Sequence, residues 1–178
     1  QLLGQDANAY NAGDAGTTFR FLTAYLALQP GEQLLTGSAR MLERPVGPLV
    51  EALRKLGADI RYRGKEGYPP LLIGETKQRT QSIGVAAHVS SQFLTALLLI
   101  GPYLPQGLEI VPEGPLVSRP YVEMTLALMR HFGAAVAWRG ESLVVSPGAY
   151  APRHLNVEPD WSAASYWYAM AALATQAD

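Results

Sequence analysis

Two rhythms of hydrophobic and polar positions run along this chain. The segment Phe93-Leu94-Thr95-Ala96-Leu97-Leu98-Leu99-Ile100 is apolar all round, and a helix without a polar face is buried. By contrast, the stretches from Val46 and from Pro120 carry Glu51, Arg54 and Lys55, or Glu123, Arg130 and His131, on one side of a helical period. Ile60-Arg61-Tyr62-Arg63 alternates, as a strand with one wet face does. These patterns predict helix over Asp14 to Leu28, strand over Gln33 to Thr36, helix over Val46 to Leu56, and strands over Ala58 to Tyr62 and Pro70 to Ile73. They then predict strand Ile83 to Ala87, helix Ser91 to Tyr103, strand Leu108 to Val111, helix Pro120 to Phe132, and strands Ala134 to Trp138 and Ser142 to Val145. A strand over Leu155 to Val157 and a helix from about Asp160 close the series. Pro45 and Pro120 suit helix starts, and Gly57 and Gly133 suit helix ends.

The elements repeat. Phe21-Leu22-Thr23-Ala24 recurs at Phe93, an offset of 72, and Arg44-Pro45 recurs at Arg119, an offset of 75. Leu56-Gly57-Ala58 recurs as Phe132-Gly133-Ala134, an offset of 76, and Ser91 matches Ser165 at 74. A unit of strand, helix, strand, helix, strand, strand therefore occurs twice, over about residues 1–75 and 76–150, and a third copy begins over 151–178. Because the sequence starts without methionine and stops inside the third copy, it reads as a piece of a longer protein. The fold class expected is a mixed α/β (α+β) arrangement of βαβαββ repeats. At least three helices lie inside it and the sheets face water, the inverse of a doubly wound sheet.

Composition narrows the function classes. The chain has 178 residues, 48% hydrophobic and 16% charged, with net charge −1. That balance argues for a globular protein and against a nucleic-acid binder, which needs a basic face. No run is long and apolar enough to span a bilayer, and no signal peptide is visible, so the setting expected is cytoplasmic. With no cysteine, disulfides, thiolate metal sites and cysteine nucleophiles are excluded. Arginine makes up 11 of the 14 basic residues, and its planar fork suits carboxylates and phosphates. His88, His131 and His154 lack metal-ligand spacing, and no Ser-His-Asp set, dinucleotide fingerprint or P-loop is present.

Candidate chemistry gathers at helix openings. Asp14-Ala15-Gly16-Thr17-Thr18-Phe19-Arg20 places a glycine turn, two hydroxyls and a guanidinium before an apolar helix. Free backbone N–H groups and the helix dipole favour an anion there. Arg40-Met41-Leu42-Glu43-Arg44-Pro45, Ser90-Ser91-Gln92, Ser118-Arg119-Pro120-Tyr121 and Glu158-Pro159-Asp160 mark the other openings. Each has a plain alternative: a solvated loop for the arginines, helix capping for the serines and acids. The repeat favours convergence, because equivalent openings gather at one end of a pseudo-symmetric domain. Arg20, Arg44 and Arg119 with Thr17, Ser90 and Ser91 would then surround a multiply anionic ligand.

At these residues the sequence resembles the 5-enolpyruvylshikimate-3-phosphate synthase family. The likeness rests on Asp14 through Arg20, Leu35-Thr36-Gly37 through Arg44-Pro45, Ser90 through Leu98, Leu116 through Tyr121, and Asp160 through Tyr166. It implies transfer of the enolpyruvyl group of phosphoenolpyruvate to the 5-hydroxyl of shikimate 3-phosphate, a step toward chorismate and the aromatic amino acids. The family works by addition and elimination through a tetrahedral intermediate, without metal or organic cofactor. By the same resemblance Gly16, Arg44 and Gln92 contact phosphoenolpyruvate, with Arg44 and Gln92 in catalytic positions. Ser90, Ser91, Gln92, Ser118 and Tyr121 bind shikimate 3-phosphate, and Asp14, Thr17, Arg20, Arg119 and Asp160 are further candidates. Asp14 stands where Asn is frequent, with Asn11-Ala12-Gly13 as a competing alignment. Arg119 stands where Lys is frequent, and Pro159 replaces a more usual glycine.

The implied fold has two domains, each of three βαβαββ units in pseudo-threefold symmetry around buried parallel helices. Residues 1–178 would be most of one domain of an enzyme that is monomeric at full length, lacking an early Lys-Ser segment and the domain that bears acid–base residues. Its partners would be the two small-molecule substrates, with no nucleic acid and no membrane. Two alternatives stand beside this reading: the UDP-N-acetylglucosamine enolpyruvyl transferase, whose family typically uses a loop cysteine, and a non-catalytic domain that binds an anion or a partner protein.

Overall fold

The computed structural model describes residues 8–86, 91–116 and 118–174. Strand β1 (Asn8–Asn11) leads into helix α1 (Gly16–Leu26), strand β2 (Gln33–Thr36), the single-turn helix α2 (Ala39–Leu42), helix α3 (Gly47–Leu56) and strands β3 (Ala58–Tyr62) and β4 (Leu71–Thr76). The same order follows in β5 (Ser82–Ala86), α4 (Ser91–Ile100), β6 (Leu108–Glu113), α5 (Arg119–His131), β7 (Val136–Arg139) and β8 (Ser142–Val145), before a last helix α6 (Trp161–Leu173).

The two sheets have one topology. Their strand orders are β1-β2-β4-β3 and β5-β6-β8-β7. In each, the first two strands run parallel across an intervening helix, and the last pairings are antiparallel. The likeness extends to side chains. Arg54 on α3 donates through Nε and Nη2 to the Ile60 carbonyl at 2.9 and 2.6 Å, and Arg130 on α5 donates to the Val136 carbonyl at 3.0 Å. In both units an arginine in the last turn of the helix satisfies a strand carbonyl six residues on. At the end of α3, Gly57 adopts φ +112°, and a Cβ there would collide with the Lys77 carbonyl. Only glycine reaches this turn without strain.

Helices α1 and α4 form the interior. Near their N-termini Arg20 reaches Gln92, and near their C-termini Tyr25 and Leu28 line the same cavity as Ile100 and Tyr103, so the two helices run parallel. Phe19, Ala24 and Leu26 of α1 and Phe93, Leu94, Leu97 and Leu98 of α4 are buried. Thr95 on α4 shares a 3.1 Å hydrogen bond with Thr125 on α5. The amphipathic α3 and α5 bury one face each, with Leu49, Val50, Leu53 and Leu56, or Val122, Leu126 and Met129, against the core. On β3, buried Ala58 and Ile60 alternate with exposed Asp59 and Arg61, so the sheets face water as the alternation predicts.

Four expectations change. The helix expected to run to Tyr103 leaves α-geometry at Ile100 and ends in a tight turn over Gly101–Tyr103, because Pro102 has no N–H to continue the ladder. Helix α2 goes unannounced in the pattern, as one turn is too short for a period. The strand expected over Leu155 to Val157 does not form: the segment has no regular secondary structure, since a strand needs a neighbour to satisfy its backbone. Finally, α6 is not interior: none of its residues is buried, and Trp167 and Leu173 are 73% and 87% exposed. It is apolar all round as expected, but no described element covers it.

Candidate functional site

The loop after β1 and the loop after β2 are stitched together. Asn11 accepts from the Gly13 N–H at 2.9 Å, the Ser38 N–H donates to the Gly13 carbonyl at 3.1 Å, and the Ser38 hydroxyl bonds the Asp14 carboxylate. Ser38 also caps α2 through the Met41 N–H. This brings Arg44, just past α2, over the opening of α1. A Cβ on Gly16 would lie 2.6 Å from the Arg44 Cζ and Nη2, so only glycine lets the guanidinium rest on the first turn. Arg44 Nη1 donates to the Asp14 carbonyl at 3.4 Å. Ala15, the N-cap, has no side-chain acceptor for the amides of that turn, which leaves N–H groups of the helix start for another partner.

Arg20 stands one turn further along α1. Its Nη1 donates to Gln92 Oε1 at 2.7 Å, and its guanidinium lies over the Phe93 ring at 5.3 Å. Its Nε is buried without a hydrogen-bond partner. Burial, then the nearby Arg44 cation, holds the Arg20 guanidinium below arginine's ordinary pKa. Among the described residues no carboxylate pairs with Arg20 or Arg44, whereas Arg54 and Arg119 each have one and Arg61 has two. Two cations held together without a counter-charge, beside free helix-start amides, are a setting that an anion stabilises.

The structure thus brings Gly16, Arg20, Arg44 and Gln92 together, with Asp14 behind Arg44 and Thr17 exposed on the same first turn. Ser91 precedes Gln92 as the first residue of α4 and is half-buried. Ser90 lies outside the described residues. At the opening of α5, Ser118 and Tyr121 are exposed, Tyr121 by 60%. Arg119 does not join the other two arginines: Nε donates to Glu123 Oε1 at 3.2 Å, and the guanidinium stacks over the Trp138 ring at 5.0 Å. An acid four residues on and an indole face on β7 capture it. Asp160 turns its carboxylate onto its own helix, accepting from the Ser162 and Ala163 N–H groups at 2.9 and 3.1 Å. Sequence reasoning missed Ser38, Phe93, Glu123 and Trp138; only the Arg119-to-Glu123 spacing signalled one of them. Among the described residues no group of His, Asp and Glu could hold a metal ion, and no helix is long and apolar enough to cross a membrane.

The family model described as EPSP synthase (3-phosphoshikimate 1-carboxyvinyltransferase) matches residues 1–177. The chain belongs to the EPSP synthase family. It is 50% identical over 165 residues to a 3-phosphoshikimate 1-carboxyvinyltransferase of Bacteroides fragilis, covering 92% of this chain and 40% of that relative. It is 49% identical over 166 residues to the enzyme of the same name from Neisseria meningitidis serogroup B, covering 91% and 38%. An EPSP synthase structure from Acinetobacter baumannii superposes with a TM-score of 0.68 at 26% identity, over 81% of this chain and 32% of that one. The chain therefore spans about 40% of the length of the relatives it matches. Within an EPSP synthase family fold, α1 and α4 are interior helices; the opening of α1 carries the arginine pair, and the opening of α4 supplies Gln92 and Phe93 to it.

Proposed function

We propose that the protein containing this chain transfers the enolpyruvyl group of phosphoenolpyruvate to the 5-hydroxyl of shikimate 3-phosphate. That hydroxyl oxygen gives up its proton and forms a C–O bond to C2 of phosphoenolpyruvate while a proton adds to C3. The C2–O bond to phosphate then breaks, a proton leaves the methyl group, and inorganic phosphate departs. The observation that carries the reading is the pair Arg20 and Arg44 at the opening of α1, without a carboxylate partner among the described residues, Arg44 lying over Gly16 and Arg20 bonded to Gln92. Gly16, Arg44 and Gln92 hold phosphoenolpyruvate, whose negative charges the two guanidiniums offset. Ser90, Ser91, Gln92, Ser118 and Tyr121 hold shikimate 3-phosphate, with the serine hydroxyls on its phosphate.

Residues 1–178 read as most of one domain, with repeat copies over about 1–75, 76–150 and 151–178; the shared order of the two sheets supports the first two copies. The acid–base groups lie elsewhere in the full protein. The setting is cytoplasmic and the full protein monomeric. Calorimetric titration of the full-length protein with shikimate 3-phosphate, phosphoenolpyruvate and UDP-N-acetylglucosamine, with a phosphate-release assay, tests the assignment. Binding of the first, and phosphate release only when the first two are mixed, are expected. Binding of the nucleotide sugar alone, or of none, overturns it.

A further inference from the structure

Arg44-Pro45 and Arg119-Pro120 hold matching places in the two units, yet their guanidiniums part ways. Arg44 lies over the opening of α1. Arg119 is held by Glu123, whose Oε1 accepts from Arg119 Nε at 3.2 Å and from Trp138 Nε1 at 3.0 Å, while the indole ring takes the guanidinium on its face at 5.0 Å. The place four residues after Arg44 is Pro48, which has no side-chain acceptor to offer. The second unit therefore has a closed clamp, of Arg119, Glu123 and Trp138, that fastens the first turn of α5 to β7.

The residue immediately before the clamp is unusual. Ser118 sits at φ +60°, ψ +42°, the one non-glycine residue with positive φ among the described residues. A left-handed backbone is disfavoured for any residue with a Cβ and persists where neighbouring contacts impose it. Ser118 occupies the N-cap of α5, but its hydroxyl makes no capping bond to the helix. An N-cap serine ordinarily spends that oxygen on an amide of the first turn. Here the oxygen is withheld from the helix, and Tyr121 one turn on is exposed beside it.

We propose that Glu123 is a positioning residue for the phosphorylated substrate. By gripping Arg119 and Trp138 through one carboxylate oxygen, it fixes the left-handed turn at Ser118 and so keeps the Ser118 hydroxyl free for the ligand. This rests on the reading of Ser118 and Tyr121 as shikimate 3-phosphate contacts. The ion pair alone contributes little, since both partners are partly exposed. The indole N–H on the same oxygen gives the clamp its geometry.

The test uses the full-length enzyme and separates KM values for the two substrates. Glu123→Ala is expected to raise the KM for shikimate 3-phosphate about three- to tenfold, the scale of one lost hydrogen bond. The KM for phosphoenolpyruvate and kcat stay within about twofold on the same scale. Glu123→Gln restores the wild-type KM, because an amide oxygen accepts from both donors. Trp138→Phe, which keeps an aromatic face but no N–H, shifts the KM in the same direction as Glu123→Ala. An unchanged shikimate 3-phosphate KM in Glu123→Ala, an equal rise in both KM values, or a Glu123→Gln as impaired as the alanine variant overturns the proposal. Should Glu123→Ala not fold, a normal Glu123→Gln with a raised KM in Trp138→Phe supports it, and any other pairing overturns it. Failure of the wild-type protein to bind shikimate 3-phosphate instead defeats the functional reading itself, and this inference with it.

Discussion

The Arg20 guanidinium donates to the Gln92 side-chain oxygen at 2.7 Å, across 72 positions of sequence. That bond joins the openings of the two interior helices, and it links the equivalent starts of two repeats. Gln92→Ala leaves a half-buried cation short of an acceptor, at a cost of about 1–3 kcal/mol of stability. It also removes a group assigned to both substrates, so turnover of the full-length enzyme is expected to fall by more than melting does. Steady-state kinetics beside thermal denaturation checks this. A normal rate with a lowered Tm would leave Gln92 a purely structural role.

Gly16→Ala inserts a methyl where the Arg44 guanidinium rests. The clash is with the far end of a flexible side chain, so the fold is retained and Arg44 swings aside. Losing one charge-assisted contact of about 1.5–3 kcal/mol corresponds to about a 10- to 100-fold higher KM for phosphoenolpyruvate. The shikimate 3-phosphate KM is expected to change far less. Substrate-resolved kinetics decides, and an unaltered phosphoenolpyruvate KM would remove Arg44 from that substrate's site.

Tyr150 supplies a pH dependence. Its hydroxyl donates to the Leu99 carbonyl at 3.0 Å, and burial, then the neighbouring Tyr103, pushes its phenol up to about 12 from the ordinary tyrosine value of 10.0. Between those two values the unfolded chain has lost a proton that the native state still binds, so stability falls as pH rises through the window. Tyr150→Phe is expected to flatten that alkaline decline while costing about 1 kcal/mol near neutrality for the lost hydrogen bond. Chemical denaturation as a function of pH measures both effects. An alkaline slope identical to wild type would refute the assignment.

Arg54 and Arg130 make the same tie from helix end to strand in the two units. Replacing either with alanine orphans one strand carbonyl and is expected to cost about 1–2 kcal/mol. The two sites lie in separate units, so the double variant should show additive losses. Urea unfolding of the three variants tests this, and marked non-additivity would reveal coupling between the sheets.

The isolated chain is expected to make no product, because it spans about 40% of the length of the relatives it matches and, on the proposed reading, the substrates are enclosed only when a second domain closes over them. Product formation by the purified 178-residue piece would contradict this.

Much of the architecture was legible in the pattern of residues. The runs from Gln33 to Thr36, Ala58 to Tyr62 and Ser142 to Val145 became strands with those bounds. Residues such as Phe93 and Leu98 announced a buried helix because no polar face relieved them. The segment around Leu155 misled because a strand is made by its neighbour, and among the described residues none pairs with it. Helix α6 misled for a related reason: an all-apolar helix states a need for burial, not what covers it.

The amino-acid order by itself determined the repeat, the helix and strand periods and the glycine turn at the opening of α1, since these depend on local conformation and on period. Tertiary structure alone decided which arginines share a site. Arg44 and Arg119 open matching helices with the same dipeptide, yet only Arg44 reaches the Gly16 turn. The fork depends on an indole brought from β7 and a carboxylate one helical turn along. Long side chains go where the nearest acceptor and aromatic face lie in space, and that proximity exists only once the sheet has closed against the helix.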